Sequence, residues 1–320
     1  MISSFYKFRP LLKSVIWGGD RIKEFKGIDT HLQQVGESWE ISGVAGHESV
    51  VTGGPDHGLT LTQLCQRHGA ALLGESVCMR YGSRFPLLIK LIDAHRDLSV
   101  QVHPGDEMAS RLHGCPGKTE MWCVIDHEPG AQIMAGFDRQ LSPEEFDRRV
   151  ADGAIMDVVA HHTAHAGDVF FLPAGCIHAI GAGNFIAEVQ QASDVTYRVF
   201  DYNRRDRDGN PRQLHVEQAR QALNFAPYAD VIERSGAKIC DGNTLVACHE
   251  FTVERHEVAR TSTLVMPDSF LVVMCTGGSG RVTSDEGATA TLRTGETILV
   301  PACHRQIIIE GSLTLLSAHC

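Results

Sequence analysis

Four short segments of this 320-residue chain hold the side chains most able to do chemistry. In Gln101-Val-His103-Pro, a carboxamide and an imidazole stand two residues apart. On a strand such positions share a face, so both groups can converge on one ion. Gly117-Lys118-Thr-Glu120 repeats the spacing with an ammonium and a carboxylate, and Pro173-Ala-Gly-Cys-Ile-His178 sets a second imidazole just beyond an apolar run. Taken singly, these are a surface pair, a solvated salt bridge and a structural histidine. Together, Gln101, His103, Glu120 and His178 form four N/O ligands suited to a divalent ion, with imidazole favouring zinc. The fourth segment runs from Glu188 to Asp201, and an unbroken strand there would align Glu188, Gln190, Asp194 and Arg198 on one face. Such a charged row is costly against an apolar core and should line a cavity or solvent. A turn near Ser193 would break the row.

The elements that must position these groups read as β. Apolar runs are short and bounded by Gly, Pro and Asp: residues 85–92, 98–103, 120–125, 168–173 and 196–202. Helical pattern is confined to about 59–80, 142–159 and 215–224. The second of these has a start signal in Ser142 as N-cap, Pro143 in the first turn and Glu145 three residues after the cap. A mainly β body with small helical insertions follows, which excludes a doubly wound α/β sheet. Gly167-Asp-Val-Phe-Phe-Leu-Pro-Ala174 recurs as Gly295-Glu-Thr-Ile-Leu-Val-Pro-Ala302, which suggests two related β units. The expected division is 1–225, a junction at 226–240, and 241–320.

Composition narrows the function classes. Hydrophobic residues make up 43% and charged residues 21%, values of a globular chain rather than a disordered or fibrous one. The net charge of -10 repels phosphate polymers and anionic bilayers, so neither nucleic acid nor membrane is an expected partner. No stretch is long and apolar enough for a membrane span or a secretory signal, and none of the ten cysteines forms a C-x-x-C pair. Free thiols and a cytoplasmic location are expected.

The four segments, in order, closely resemble type I phosphomannose isomerase, and the likeness extends to Ile16-Trp-Gly-Gly19 and Gly36-Glu-Ser-Trp-Glu-Ile-Ser42. It is good from about residue 5 to 225 and weaker beyond, and the length resembles the short bacterial form. The resemblance implies a double cupin, or jelly-roll, fold with a second cupin-like domain at the C-terminus. It further implies one zinc per chain on Gln101, His103, Glu120 and His178, and interconversion of mannose 6-phosphate with fructose 6-phosphate. In the C-terminal copy, Pro301-Ala-Cys-His304 offers one histidine and no Gln-x-His partner, and a metal-free, structural role is expected of that copy. The sequence departs from the family pattern at Ala192 and Cys123, neither of which is an expected ligand.

Aldose to ketose isomerisation requires ring opening, proton transfer from C2 to C1 and stabilisation of a cis-enediolate. The resemblance places Lys118 and Glu188 near the metal, and both remain open as the base. Arg198 suits an enediolate oxygen or a phosphate. Asp194 could assist ring opening, and Ser99, Lys118 and Arg198 are candidates for gripping the phosphate. Two other classes share part of the pattern. His103, Glu120 and His178 alone match the 2-His-1-carboxylate set of non-haem iron oxygenases, against which Gln101 argues. A cupin could also bind sugar phosphate without catalysis. His161-His162-Thr-Ala-His165 reads as an exposed loop, with a second metal site there as the sharper alternative.

Overall fold

A computed structural model describes residue 2, residues 4–205 and residues 209–320. Leu87–Ala94 and Asn184–Gln191 are buried along their whole length, so both of their faces need cover. They form the middle of a six-stranded antiparallel sheet ordered Val169–Leu172, Glu120–His127, Asn184–Gln191, Leu87–Ala94, Val35–Ser42, Leu11–Gly19. A five-stranded sheet faces it, ordered Tyr197–Phe200, Val100–Val102, His178–Ile180, Gln132–Phe137, Val159–Thr163. Strand periodicity sorts the side chains of the first sheet. Leu87, Ile89, Leu91, Met121, Ala187 and Val189 pack outward with Phe270, Val272 and Leu316 of the C-terminal strands. Ile92, Trp122, Val124 and Ile186 belong to the inner core. Lys90, Glu120 and Glu188 occupy even-numbered positions with that inner set, which is why charged side chains occur on otherwise apolar strands.

Residues from Lys238 onward build an eight-stranded sheet, with Leu271–Ser284 and Gln306–His319 as its long central pair. The whole is a mainly β, cupin-type architecture with small helices. The repeated octapeptides occupy equivalent turns. Gly167 and Gly295 both have positive φ, and each donates its N–H to a neighbouring strand, at Val124 O and Cys275 O respectively. The N–H groups of Val124 and Cys275 donate in return to Asp168 O and Glu296 O. Each glycine carbonyl is capped by a cation from the other half of the chain, Arg255 Nη2 at 2.8 Å from Gly167 O and Lys26 Nζ at 2.6 Å from Gly295 O.

The helical insertions are shorter than the pattern suggested. Residues 59–80 hold three helices, Leu61–His68, Ala70–Leu73 and Glu75–Tyr81, separated at Gly69 and Gly74. The segment expected at 142–159 is capped by Ser142 as anticipated but ends at Ala151, followed by positive-φ Gly153 and a 3-10 turn at Ile155–Asp157. Val159 already starts a strand. Arg21–Lys26, Asp106–His113 and Tyr228–Ser235 are helices without an expected counterpart. Residues 161–163 are strand, not loop. His161 lies near Gln132 Oε1, His162 sits between Phe170 and Tyr228, and His165 meets Asp168. The three rings have separate partners, and among the described residues they belong to no metal-ligand cluster.

Candidate metal centre and active site

The two sheets bring two side-chain rows face to face. In the six-stranded sheet, Trp122, Glu188, Lys90 and Trp39 are successive cross-strand neighbours. Trp122 Nε1 donates to Glu188 Oε2 at 2.8 Å, and Lys90 Nζ pairs with Glu188 Oε1 at 2.9 Å. In the five-stranded sheet, Arg198, Gln101 and His178 are cross-strand neighbours. The row expected from Glu188 through Gln190 and Asp194 to Arg198 is therefore not one strand. The strand stops at Gln191, a turn follows, and Arg198 restarts in the opposite sheet. That break places Glu188 and Arg198 on facing walls. Gln190 leaves the site and donates to the carbonyls of Gln191 and Ser193, fastening the turn.

His103, Glu120 and His178 are buried, and their ligand atoms lie within 4.8 Å of one another; among the described residues they are the one such group. His103 Nδ1 donates to Val195 O at 2.8 Å and His178 Nδ1 donates to Cys176 O at 2.9 Å. Both Nε2 lone pairs therefore point inward, toward Glu120 oxygens at 3.5 and 3.3 Å. Gln101 Nε2 lies 3.4 Å from His178 Nε2, and a half-turn of the amide presents Oε1 instead. Lys118 Nζ stands 2.7 Å from Glu120 Oε2 and 2.9 Å from His103 Nε2.

The electrostatics of this donor set fit a cation. Burial, reinforced by Lys118, holds His103 well below the usual imidazole range and His178 at about 3, so both rings are neutral ligands. Burial pushes Glu120 up to about 7 against the opposing pull of Lys118, the mark of a carboxylate short of positive charge. Burial would raise Glu188 as well, but Lys90 and Lys118 outweigh it and hold it at about 2. Burial favours a neutral Lys90, yet Glu188 and Glu37 together raise it.

Beside the cluster lies a cavity of about 360 Å³ whose walls include Ser99, Gln101, Lys118, Glu188, Asp194 and Arg198. Arg198 donates from Nε to Ser99 Oγ at 3.3 Å and from Nη1 to Gln213 O at 2.8 Å. Asp194 is exposed at the cavity's edge. Lys90, Trp122, Glu37 and Arg212 also line the cavity and were not singled out from the sequence. Lys90 had a signal, as the one charge inside the apolar run 85–92. Arg212 had none, because it lies outside the four segments and is held by a side-chain bond to Asp201 that residue spacing does not mark.

Comparison with known proteins agrees with this geometry. Residues 5–132 match the family model of the phosphomannose isomerase type I catalytic domain, and residues 241–320 match that of the mannose-6-phosphate isomerase cupin domain. The chain is 33% identical over 315 residues to mannose-6-phosphate isomerase ManA of Bacillus subtilis, covering 98% of each chain. It is 35% identical over 305 residues to a mannose-6-phosphate isomerase of Streptococcus mutans, covering 95% of this chain and 94% of that one. A crystal structure of the mannose 6-phosphate isomerase from Bacillus subtilis superposes with a TM-score of 0.88 at 31% identity, covering 99% of this chain and all of the other. With matching family models at both ends, full-length relatives and a common fold, the chain belongs to the type I phosphomannose isomerase family.

Proposed function

We infer that the chain interconverts mannose 6-phosphate and fructose 6-phosphate through a cis-enediolate. One observation supports this reading beyond family membership: an inward-facing His103–Glu120–His178 donor set lies beside a cavity lined by Gln101, Lys118, Glu188 and Arg198, with Lys118 bonded to both Glu120 and His103. His103, Glu120, His178 and Gln101 would hold one zinc ion per chain. A zinc ion held there would supply Lewis acidity for the negative charge that develops in the enediolate.

The remaining roles fall to the chain's own groups. Both Glu188 oxygens are engaged, by Trp122 and by Lys90, which suits a fixed negative charge orienting substrate hydroxyls. Lys118, whose side chain among the described residues is held by its ion pair with Glu120 and its contact with His103, suits better than Glu188 the carrying of the proton between C2 and C1. Among the described residues Arg198 Nη2 makes no hydrogen bond, and its charge would steady an enediolate oxygen or, with Ser99 and Lys118, the phosphate. Asp194 at the cavity edge is placed to assist ring opening. The division into 1–225, 226–240 and 241–320 belongs to the same reading, as does a cytoplasmic location, which the ten unpaired cysteines support.

No observation favours the iron oxygenase, and a binding-only cupin is separated from the isomerase by one experiment. Mannose 6-phosphate incubated with the protein in deuterium oxide and followed by proton NMR should exchange its C2 proton as fructose 6-phosphate appears. Binding with neither exchange nor product would contradict the isomerase.

A further inference from the structure

Three consecutive backbone N–H groups ahead of the Glu120 strand are held by three different elements. Gly117 N donates to Asp106 Oδ1 at 2.7 Å, Lys118 N to Pro104 O at 3.1 Å, and Thr119 N to Gln191 Oε1 at 2.9 Å. Gln191 closes the circuit, because its Nε2 donates to the same Asp106 Oδ1 at 3.0 Å and its N–H donates to Thr119 O at 3.1 Å. The fit around Gly117 is close, since a Cβ there would meet Asp106 N at 2.6 Å and the Gly105 carbonyl carbon at 2.7 Å. Gln191 is buried but does not line the substrate cavity. Two of its bonds end on the backbone of Thr119, whose two neighbours, Lys118 and Glu120, make the 2.7 Å pair.

We propose that Gln191 and Asp106 form a latch that positions Lys118 for proton transfer, with Gln191 acting through the Thr119 backbone. The proposal rests on Lys118 being the proton carrier. A buried carboxamide is suited to this task because it presents an acceptor to Thr119 and a donor to Asp106 at once, which neither a carboxylate nor a hydrocarbon of similar size can do. Without it the 117–119 segment keeps two of the three bonds made by its N–H groups. Displacement of a reacting group by about 1 Å costs on the order of 100-fold in rate, so the latch should register in turnover before it registers in binding.

The test is a double-mutant cycle on metal-loaded full-length protein, measuring kcat, KM and bound metal for Gln191→Met, Lys118→Ala and the pair. Gln191→Met should lower kcat about 10- to 100-fold with KM and metal content little changed, and should cost almost nothing further in the Lys118→Ala background. Asp106→Ala, at the exposed start of its helix, should reproduce a smaller version of the loss. Asp106→Asn, which keeps the acceptor oxygen, should restore near-normal kcat. Unchanged kcat in Gln191→Met and Asp106→Ala, or full additivity with Lys118→Ala, would overturn the latch. An active Lys118→Ala enzyme would instead overturn the assignment of Lys118 on which the latch rests.

Discussion

The Nε2 atoms of His103 and His178 stand 3.1 Å apart with neither able to donate to the other, because each ring's proton is committed to a main-chain carbonyl. Two lone pairs so close, both aimed at the Glu120 carboxylate, suit a shared positive centre. His103→Ala or His178→Ala should therefore abolish stoichiometric metal and turnover together. Mass-spectrometric metal analysis of the purified variants checks this, and full metal content in either would remove that ring from the ligand set.

Arg198 lies on the wall facing Glu188, away from the three-residue donor cluster. Arg198→Ala is expected to lower kcat by about 100- to 1,000-fold, the usual effect of removing one preorganised donor, while metal content stays at the level of the parent protein. Loss of metal in that variant would move Arg198 from transition-state stabilisation to structure.

The legible part of this site was the part written locally. Gln101, His103, Lys118, Glu120 and His178 sit at or beside strand ends, where spacing alone shows which groups share a face. In the Glu188-to-Arg198 segment the turn named near Ser193 as able to break the row is the one that occurs, but even spacing carries no sign that the chain changes sheets there. The turn after Gln191 is fixed by Gln190 donating to Gln191 O and Ser193 O, a local bond with no mark in hydropathy. The capping of Gly167 by Arg255 and of Gly295 by Lys26 was not legible, since each joins residues far apart in sequence. Asp106–His113 carries too short an apolar stripe to stand out, with Ala109 its one fully covered side chain.

Lys90 and Glu188 form a pair of which each side chain is almost wholly enclosed. Lys90→Met should lower stability by about 3–5 kcal/mol, because it strands a buried carboxylate. Adding Glu188→Gln to that variant should recover a good part of the loss even though activity stays low. Urea unfolding of the single and double variants measures both effects, and a single variant as stable as the parent would show the pair to be energetically idle.

Asp56 ties the N-terminal segment to the Leu61–His68 helix by accepting from Tyr6 Oη at 2.8 Å and by pairing with Arg67 and His68. Burial would raise its pKa, but the bonds from Tyr6 and His68 and the charge of Arg67 hold it below the usual carboxylate range. A depressed folded-state pKa stabilises at pH values above the unfolded carboxylate's, about 4, and that contribution is lost as pH falls toward the folded value. The stability gap between the parent and Asp56→Asn should thus be full at neutral pH and shrink below about pH 4. A gap constant with pH would show that the Asp56 charge plays no part.

Metal-dependent isomerisation is measured by coupled assay of mannose 6-phosphate conversion without oxygen, before chelation, after chelation and after adding back zinc. Turnover should disappear with the metal and return with zinc. Undiminished turnover in protein shown to be metal-free, or none in protein shown to be fully zinc-loaded, would contradict metal-dependent isomerisation.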